Sequence, residues 1–408
     1  MSRHEGAEMG MSPIERYKNE IALQSKHTRI DLPEGNTQVE SPEGKIYNVE
    51  QLENHKDPRV AASHELLSKT FGEDEMDSLR TIKAAMQGKV VGDEKSEDIP
   101  LMIHTVENEK EVVGTAHTAV LEAMNDDFEP KGNKKSIMLD AYLAVKKGEQ
   151  YKDLDIELYR KRAIDAQKFA SENGLKMDSM VVEATADTSE EFYNKVGMHR
   201  LYMETKWGEL KEVPYFQSVL ADAWNESTGD PRRGEARSAL HLMIGQLDGG
   251  RELTPEQVLE KVRALMDYDS FQTKDYFSNK NAHAHHEDIL EYDLGEFEKA
   301  LGQADDGTIK LMTAEERDEW IRINGKDKFV SHITPSGEKN EEEPRIPTEL
   351  ANRILEAFPK DAELRQAVEA NRDMTGRILD GYYRARVKGA KELYGSWNEW
   401  WRITHELK

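Results

Sequence analysis

The sequence predicts an α+β fold, in which a sheet is flanked by helices, followed by a mainly α-helical C-terminal extension. Apolar runs of strand character alternate with helical segments between residues 44 and 213. Beyond that point, helical segments separated by polar linkers predominate. The chain has 408 residues, 37% of them hydrophobic, so it can build two or three domains with buried cores.

Four regions follow one another along the chain. An N-terminal helix and a polar linker are predicted at 1–43, and the α+β domain at 44–213. A helical region is predicted at 230–336, where capping boxes at Thr254 and Thr313 each begin a helix. After the acidic, proline-containing segment EKNEEEPRIP, a C-terminal helical region is predicted at 345–408.

The α+β domain has a readable order of elements. A short strand at 46–49 precedes the helical segments RVAASHELLSKTF and EMDSLRTIKAAMQG. The runs IPLMIHTVE and EVVGTAHTAV predict a hairpin, and SIMLDAYLAV predicts a central strand. An amphipathic helix follows at about 154–173, because its apolar residues recur every three or four positions. Strand MDSMVVEA, helix EEFYNKVG and strand MHRLYMETKW complete the domain.

The composition excludes several classes of function. There are 80 acidic and 56 basic residues, and the net charge of -24 argues against nucleic acid or an anionic membrane as a partner. No apolar run approaches the roughly 18 to 20 residues of a membrane span, and the N-terminus lacks a signal-peptide core. We therefore expect a cytoplasmic protein. The absence of cysteine excludes disulfides, thiolate metal sites and cysteine nucleophiles.

The stretch EEFYNKVG places Phe192 and Tyr193 ahead of Gly197 on a short helix between two strands. This pattern, with the element order over roughly residues 45–207, resembles the GNAT superfamily of acyl-CoA-dependent N-acyltransferases. The resemblance implies a mixed central sheet and transfer of an acetyl or other acyl group from acyl-CoA to a primary amine, on a small molecule or a peptide. It also implies that Tyr193 is the acid at the departing thiolate. The alternative is an aromatic pair that packs a helix onto a sheet.

Attack of an amine on a thioester needs a base, and two carboxylates on predicted strands are candidates. Glu183 lies in VVEATAD on the fifth strand, and Asp140 lies in MLDAYLA on the fourth. A carboxylate in an apolar strand has a raised pKa, which suits a base that works near neutral pH. We expect Glu183 to be the base and Asp140 to be a solvated residue without a catalytic role.

The resemblance also implies a pyrophosphate-binding loop after the fourth strand, because backbone N–H groups at a helix start bind phosphate. In this loop, aspartates replace both glycines of the family pattern. An aspartate stabilises a helix start, yet two like charges about 4 Å apart repel by roughly 4 kcal/mol at an effective dielectric constant near 20. The expected cofactor-binding residues are Leu143, Val145, Gln150, Tyr151, Lys152, Asp153, Leu154 and Asp155.

Three functions therefore stay open. In the first, the chain is an acyltransferase with acetyl-CoA or another acyl-CoA as co-substrate. In the second, it is an acyltransferase that uses a different acyl carrier. The third alternative is a catalytically inactive, GNAT-derived scaffold or interaction protein that no longer binds coenzyme A.

Two further motifs lie in the C-terminal half. The segment AHAHHED contains His283, His285 and His286, but no second set of ligands accompanies it, so we predict a solvated loop and no metal site. Near the C-terminus, Trp397, Trp400 and Trp401 share one face of a predicted helix. An aromatic stripe of this kind normally packs into a core, and it also suits a protein partner.

Overall fold

The three-dimensional structure is a computed structural model that describes residues 25–32, 36–71, 76–88, 101–184, 187–218, 224–225, 230–231, 237–273, 290 and 293–331. The predicted N-terminal helix, the histidine cluster and the region 345–408 with its tryptophan stripe lie outside these residues. The chain divides into two compact units, and most of the central sheet belongs to the larger one.

The described residues form sixteen strands and six α-helices with defined bounds, and residues 293–301 are also helical. The strands are β1 (Thr28–Asp31), β2 (Thr37–Glu40), β3 (Ile46–Leu52), β4 (Met102–Asn108), β5 (Glu111–Glu122), β6 (Lys135–Val145), β7 (Lys176–Ala184), β8 (His199–Thr205), β9 (Leu210–Glu212), β10 (Tyr215–Ser218), β11 (Trp224–Asn225), β12 (Asp230–Pro231), β13 (Arg237–Gln246), β14 (Glu252–Leu253), β15 (Ala304–Met312) and β16 (Phe329–Val330). The helices are α1 (Pro58–Phe71), α2 (Leu79–Ala85), α3 (Leu154–Glu172), α4 (Asp187–Lys195), α5 (Pro255–Thr273) and α6 (Ala314–Asn324).

One sheet runs through most of these strands in the order β1-β2-β3-β4-β5-β6-β7-β13-β8-β15-β14. Neighbours from β4 to β15 are antiparallel except β6 and β7, which are parallel and are connected through α3. Parallel neighbours need such a crossover, whereas antiparallel neighbours need only a turn. The sheet is therefore mixed and flanked by helices, which confirms the predicted α+β fold, whereas the predicted helical region at 345–408 stays a prediction.

Helices cover the sheet on both faces. Successive residues of a strand point to opposite faces, so Met180 and Val182 belong to one core and Val181 to the other. The core around Met180 contains residues of α3 and α4, including Tyr159 and Tyr193. The other core contains residues of α1, α2 and α5. We call the side of the sheet that packs against α3 and α4 the α3 face, and the side that packs against α1, α2 and α5 the α1 face.

The sequence predicted a helical region at 230–336. This prediction was wrong in part, because the region also supplies strands to the central sheet. Strand β13 lies between β7 and β8, and β15 lies on the outer side of β8. Leu240, Leu242, Met243 and Ile244 of β13 are buried. A strand buried on both faces lacks the alternation that identifies strands in a sequence, which explains the error. The predicted helices do occur as α5 and α6.

Both helix starts in this region follow the predicted capping chemistry. Thr313 and Glu316 form a reciprocal capping box at the start of α6. At the start of α5, the backbone N–H of Gln257 donates to Oγ1 of Thr254 at 3.2 Å, and the Thr254 N–H donates to the Gln257 side chain at 2.8 Å. Among the helices that the structure describes, none is long and apolar enough to cross a membrane.

Candidate active site

Strands β6 and β7 stop pairing before either strand ends, and we call the unpaired part between them the slot. Their parallel pairing runs along β6 from Lys135 to Asp140 and ends with Asp140 opposite Val182. Past this point β6 continues to Val145 beside β5, and β7 continues to Ala184 beside β13. We call the pair of Asp140 and Val182 the vertex of the slot. Leu143 and Val145, both partly exposed, lie on β6 beyond it and pack against cores of the α3 face.

A bulge in β6 accompanies the slot. Thr118 of β5 pairs with Asp140, but the preceding His117 pairs with Tyr142, so Ala141 is the extra residue. A bulge bends its strand and increases the local twist, which accounts for the departure of β6 from β7 at the vertex.

Glu183 is the first residue of β7 beyond the vertex. Since Val182 faces α3, Glu183 points to the α1 face. The Tyr215 hydroxyl donates to its carboxylate at 2.5 Å. Burial raises the pKa of Glu183 to about 7, although the Tyr215 hydrogen bond lowers it. A carboxyl group with this pKa can accept a proton near neutral pH.

Tyr215 was not predicted from the sequence. It lies in β10, just after the expected end of the α+β domain, and its ring packs edge-to-face on Phe297 with a centroid distance of 5.9 Å. No sequence pattern connects these two positions with Glu183, because tertiary packing brings the three segments together.

Tyr193 lies on the α3 face at the vertex. Its side chain is 8% exposed and packs in the core with the rings of Phe192 and Tyr159. The centroid distance from Phe192 to Tyr193 is 5.1 Å. Burial raises the pKa of the Tyr193 phenol well above its usual value, and the nearby Asp140 carboxylate raises it further. The phenol therefore stays protonated at any physiological pH.

Gly197 explains the spacing of the Tyr193 motif. After the last turn of α4, Gly197 adopts a φ of 81°, in the left-handed region that glycine enters without strain. The next residue, Met198, donates its backbone N–H to the Tyr193 carbonyl at 2.8 Å. This bond closes a Schellman-type helix end, in which the residue four positions before the glycine supplies the acceptor. The motif glycine thus ties the backbone of Tyr193 to the turn into β8.

The sequence predicted that Asp140 is a solvated residue, and this prediction was wrong. It is 2% exposed, and both terminal nitrogens of Arg162 on α3 donate to its two oxygens. Arg162 is fully buried, with its guanidinium carbon 4.0 Å from the centre of the Tyr159 ring. Arg162 was not predicted from the sequence, although the residue lies beside the apolar stripe of α3. A buried carboxylate needs such a partner, which is why the solvated interpretation was wrong.

The predicted cofactor loop lies at the start of α3. Gln150 and Tyr151 belong to a short 3-10 turn, and the Tyr47 hydroxyl donates to the Gln150 carbonyl at 2.5 Å. Lys152 connects this turn to Asp153, and Leu154 is fully buried. The six predicted loop residues, Gln150 to Asp155, are therefore brought together at one helix start.

The two aspartates of the loop differ in their effect on a bound pyrophosphate. Asp153 has a φ of 62°, a conformation that glycine favours, so the backbone keeps a glycine-like shape despite the substitution. The Asp155 carboxylate accepts the Ile156 backbone N–H at 2.9 Å, and burial raises its pKa. It thus occupies a donor that a phosphate would use.

The remaining predicted site concerns metal. Within the described ranges, no group of three or more His, Asp or Glu side chains is arranged to hold a metal ion. The segment of His283 to His286 lies outside those ranges, so its interpretation as a solvated loop stays a prediction.

Comparisons with known proteins gave matches among solved structures. No protein-family model and no curated protein sequence matches the chain. The ribosomal-protein-S18-alanine N-acetyltransferase from Escherichia coli is 11% identical, with a TM-score of 0.28, covering 49% of this chain and 94% of that one. An acetyltransferase of the GNAT family from Staphylococcus aureus Mu50 is 11% identical, with a TM-score of 0.26, covering 49% and 99%. An aminoglycoside 6'-N-acetyltransferase complexed with coenzyme A is 11% identical, with a TM-score of 0.28, covering 49% and 96%. These three solved structures are acetyltransferases, and one of them is named as a member of the GNAT family.

Proposed function

We propose that the protein is an N-acyltransferase that moves an acetyl or other acyl group from acyl-CoA to a primary amine. One observation supports this function above others. The slot between β6 and β7 has a carboxyl group of pKa about 7, Glu183, on one face and a buried phenol, Tyr193, on the other. An acyl transfer from a thioester needs a base beside the amine and a donor beside the sulfur, and the slot separates the two.

Glu183 is the proposed general base. At pH 7 about half of this group is ionised, because its pKa is about 7. The amine enters from the α1 face, its nitrogen forms a bond with the thioester carbonyl carbon, and Glu183 takes the proton that the nitrogen loses. The carbon–sulfur bond then breaks, and the electron pair leaves with the sulfur. Tyr215 holds the carboxylate by its hydrogen bond.

Tyr193 is the proposed proton donor to the departing thiolate. Its phenol carries one proton and lies near the Asp140 carboxylate at the vertex. Rotation about the C–O bond of the phenol turns this proton towards a sulfur in the slot. Asp140 and Arg162 stay paired throughout and act by orienting the phenol.

The donor substrate is proposed to bind on the α3 face. Beyond the vertex, the β6 edge that faces the slot has backbone groups unpaired with β7, and an extended arm with amide groups can pair with such an edge. Leu143 and Val145 would contact this arm. The loop residues Gln150, Tyr151, Lys152, Asp153, Leu154 and Asp155 would lie beside the phosphates.

A second function has one observation in its favour. The Asp155 carboxylate already occupies the Ile156 N–H at the helix start. A negative charge there opposes a pyrophosphate, so the slot would remain while the affinity for coenzyme A is lost. The protein would then be a GNAT-derived scaffold or interaction protein.

Calorimetric titration with acetyl-CoA and longer acyl-CoAs, together with release of free thiol in the presence of primary amines, tests the proposal. Micromolar binding that Tyr193→Phe leaves intact, while turnover falls, supports the acyltransferase. Absence of binding to every acyl-CoA supports the scaffold. Turnover of a thioester on a carrier protein, without turnover of acyl-CoA, supports a different acyl carrier.

A further inference from the structure

Helix α4 carries a second buried residue that the proposed mechanism does not use. Glu190 lies three positions before Tyr193, which is about one helical turn, so the two side chains lie on neighbouring parts of the same helix surface. Glu190 is 6% exposed. A buried carboxylate needs compensating partners, and the position of these partners constrains the helix that carries it.

Two arginines from different elements hold Glu190. Nη2 of Arg200, on β8, lies 3.0 Å from a carboxylate oxygen of Glu190. Nη1 of Arg317, on α6, donates to the same oxygen at 3.2 Å and lies 3.4 Å from the other oxygen. Arg200 is 4% exposed, and the Arg317 side chain is 18% exposed. The guanidinium groups therefore clamp one carboxylate that is largely shielded from water.

The clamp is continuous with a second buried pair. Nη1 of Arg200 also lies 3.5 Å from the Glu212 carboxylate on β9. That carboxylate is 2.5 Å from Nδ1 of His241 on β13, and it accepts the Ser331 hydroxyl at 3.0 Å. Polar and charged side chains from five elements and the chain after β16 thus form one network beside α4. A buried charge is costly to leave without its partner, so the elements that carry these groups are expected to keep their relative positions.

Arg317 comes from a part of the chain beyond the region of family resemblance. It lies in the first turn of α6, whose start is held by the capping box of Thr313 and Glu316. This start continues directly from β15, which pairs with β8 through Leu311 opposite Leu201. The sheet therefore fixes the place from which Arg317 reaches α4. A side chain anchored in this way can set the position of the helix it contacts.

We infer that Arg317 is a positioning residue for the acyl transfer, acting through Glu190 to set the place of α4 and of the Tyr193 hydroxyl at the vertex. The inference rests on the proposed function, in which Tyr193 serves the departing thiolate. It assigns a role in the active site to the segment 304–331, which the sequence analysis placed in a separate helical region.

A kinetic double-mutant cycle tests this role. Arg317→Ala is expected to lower kcat by about tenfold to a hundredfold. A substitution far from the reacting atoms can have that effect when it displaces a catalytic group by about 1 Å. In the Arg317→Ala background, Tyr193→Phe should lower kcat much less than it does in the wild type, because the phenol is already misplaced. Arg317→Lys keeps the charge and should recover most of the loss. Independent, multiplying effects of the two substitutions overturn the inference.

Arg322→Ala is the matched control. Arg322 is also on α6, is 71% exposed and pairs with Glu319 on its own helix, so its removal should leave kcat unchanged. Should Arg317→Ala fail to fold, Arg317→Gln takes its place in the same cycle, because it keeps a hydrogen-bond donor and much of the volume.

Amide hydrogen exchange separates a failure of this inference from a failure of the proposed function. Exchange in residues 190–198 should rise at least several-fold in Arg317→Ala and stay at the wild-type rate in Arg322→Ala. A wild-type protein that turns over no thioester overturns the acyltransferase and, with it, the catalytic role of Arg317. If the wild-type protein is active and exchange in α4 of Arg317→Ala is unchanged, the role of the clamp is overturned and the proposed function stands.

Discussion

At the slot, the carboxylate on one face of the sheet has a charged partner, and the carboxylate on the other face has a neutral partner. On the α3 face, Asp140 accepts two hydrogen bonds from the buried guanidinium of Arg162. On the α1 face, Glu183 accepts a hydrogen bond from the neutral phenol of Tyr215, and its pKa rises to about 7. A guanidinium compensates a carboxylate charge, whereas a phenol contributes a dipole. The phenol therefore leaves the buried charge of Glu183 uncompensated, and burial raises the pKa of this carboxyl group.

The largest expected effect is the loss of the base. Glu183→Gln should lower kcat by about a hundredfold to ten-thousandfold, the usual range for general-base catalysis. Initial rates of thiol release from acetyl-CoA measure it. Glu252→Gln, at an exposed position on β14, is the control and should have the wild-type rate. Full activity of Glu183→Gln would remove the functional difference between the two faces.

Loss of the arginine should lower stability. Arg162→Met leaves Asp140 buried without a compensating charge, so the free energy of unfolding should fall by about 3–5 kcal/mol. Urea denaturation measures this change. Lys168→Met on the same helix is the control, because Lys168 is 72% exposed, and its effect should stay within about 0.5 kcal/mol. Equal effects of the two substitutions would contradict a special role for the buried pair.

Glu183 should make stability depend on pH with a definite sign. Its pKa rises from 4.5 to about 7 on folding, so the folded state keeps the proton to higher pH than the unfolded state does. The free energy of unfolding therefore falls as pH rises from 4.5 to about 7, by about 3 kcal/mol from this group. Glu183→Gln lacks the effect, so its stability relative to wild type should grow over this window. Denaturation curves at pH 4, 6 and 8 test it, and parallel pH profiles would refute it.

The smallest effect is expected from the partner of the base. Tyr215→Phe removes a hydrogen bond that lowers the pKa of Glu183, so this pKa should rise. The acidic limb of the kcat/KM profile should move to higher pH by about one unit, since a hydrogen bond to a charged group contributes about 1.5 kcal/mol. A limb that stays in place would show that Tyr215 does not act on the base.

The sequence was sufficient for the local features of the site. Apolar runs and helical stripes predicted the order from β3 to β8, because period and turn chemistry are local properties. The spacing of Tyr193 and Gly197 predicted a helix with a phenol, and the helix end shows that this spacing follows from the geometry of one turn. The raised pKa of Glu183 also followed from its apolar neighbours in the chain.

Strand β13 marks the limit of such reasoning. Its residues have no strand alternation, since both faces are covered, and their position between β7 and β8 is a contact over a long stretch of chain. The error in the region 230–336 followed from this, and so did the failure to find Tyr215 and Arg317. Their partners, Glu183 and Glu190, lie more than thirty residues away in the chain.

By itself, then, the sequence determined which side chains were available and, from β3 to β8, on which kind of element each one lies, because helix and strand periods depend on neighbouring residues. Only the tertiary structure decided which carboxylate received a guanidinium and which received a phenol. Compensation of charge depends on distances of a few ångströms between segments far apart in the chain, and these distances are set by how the sheet is assembled.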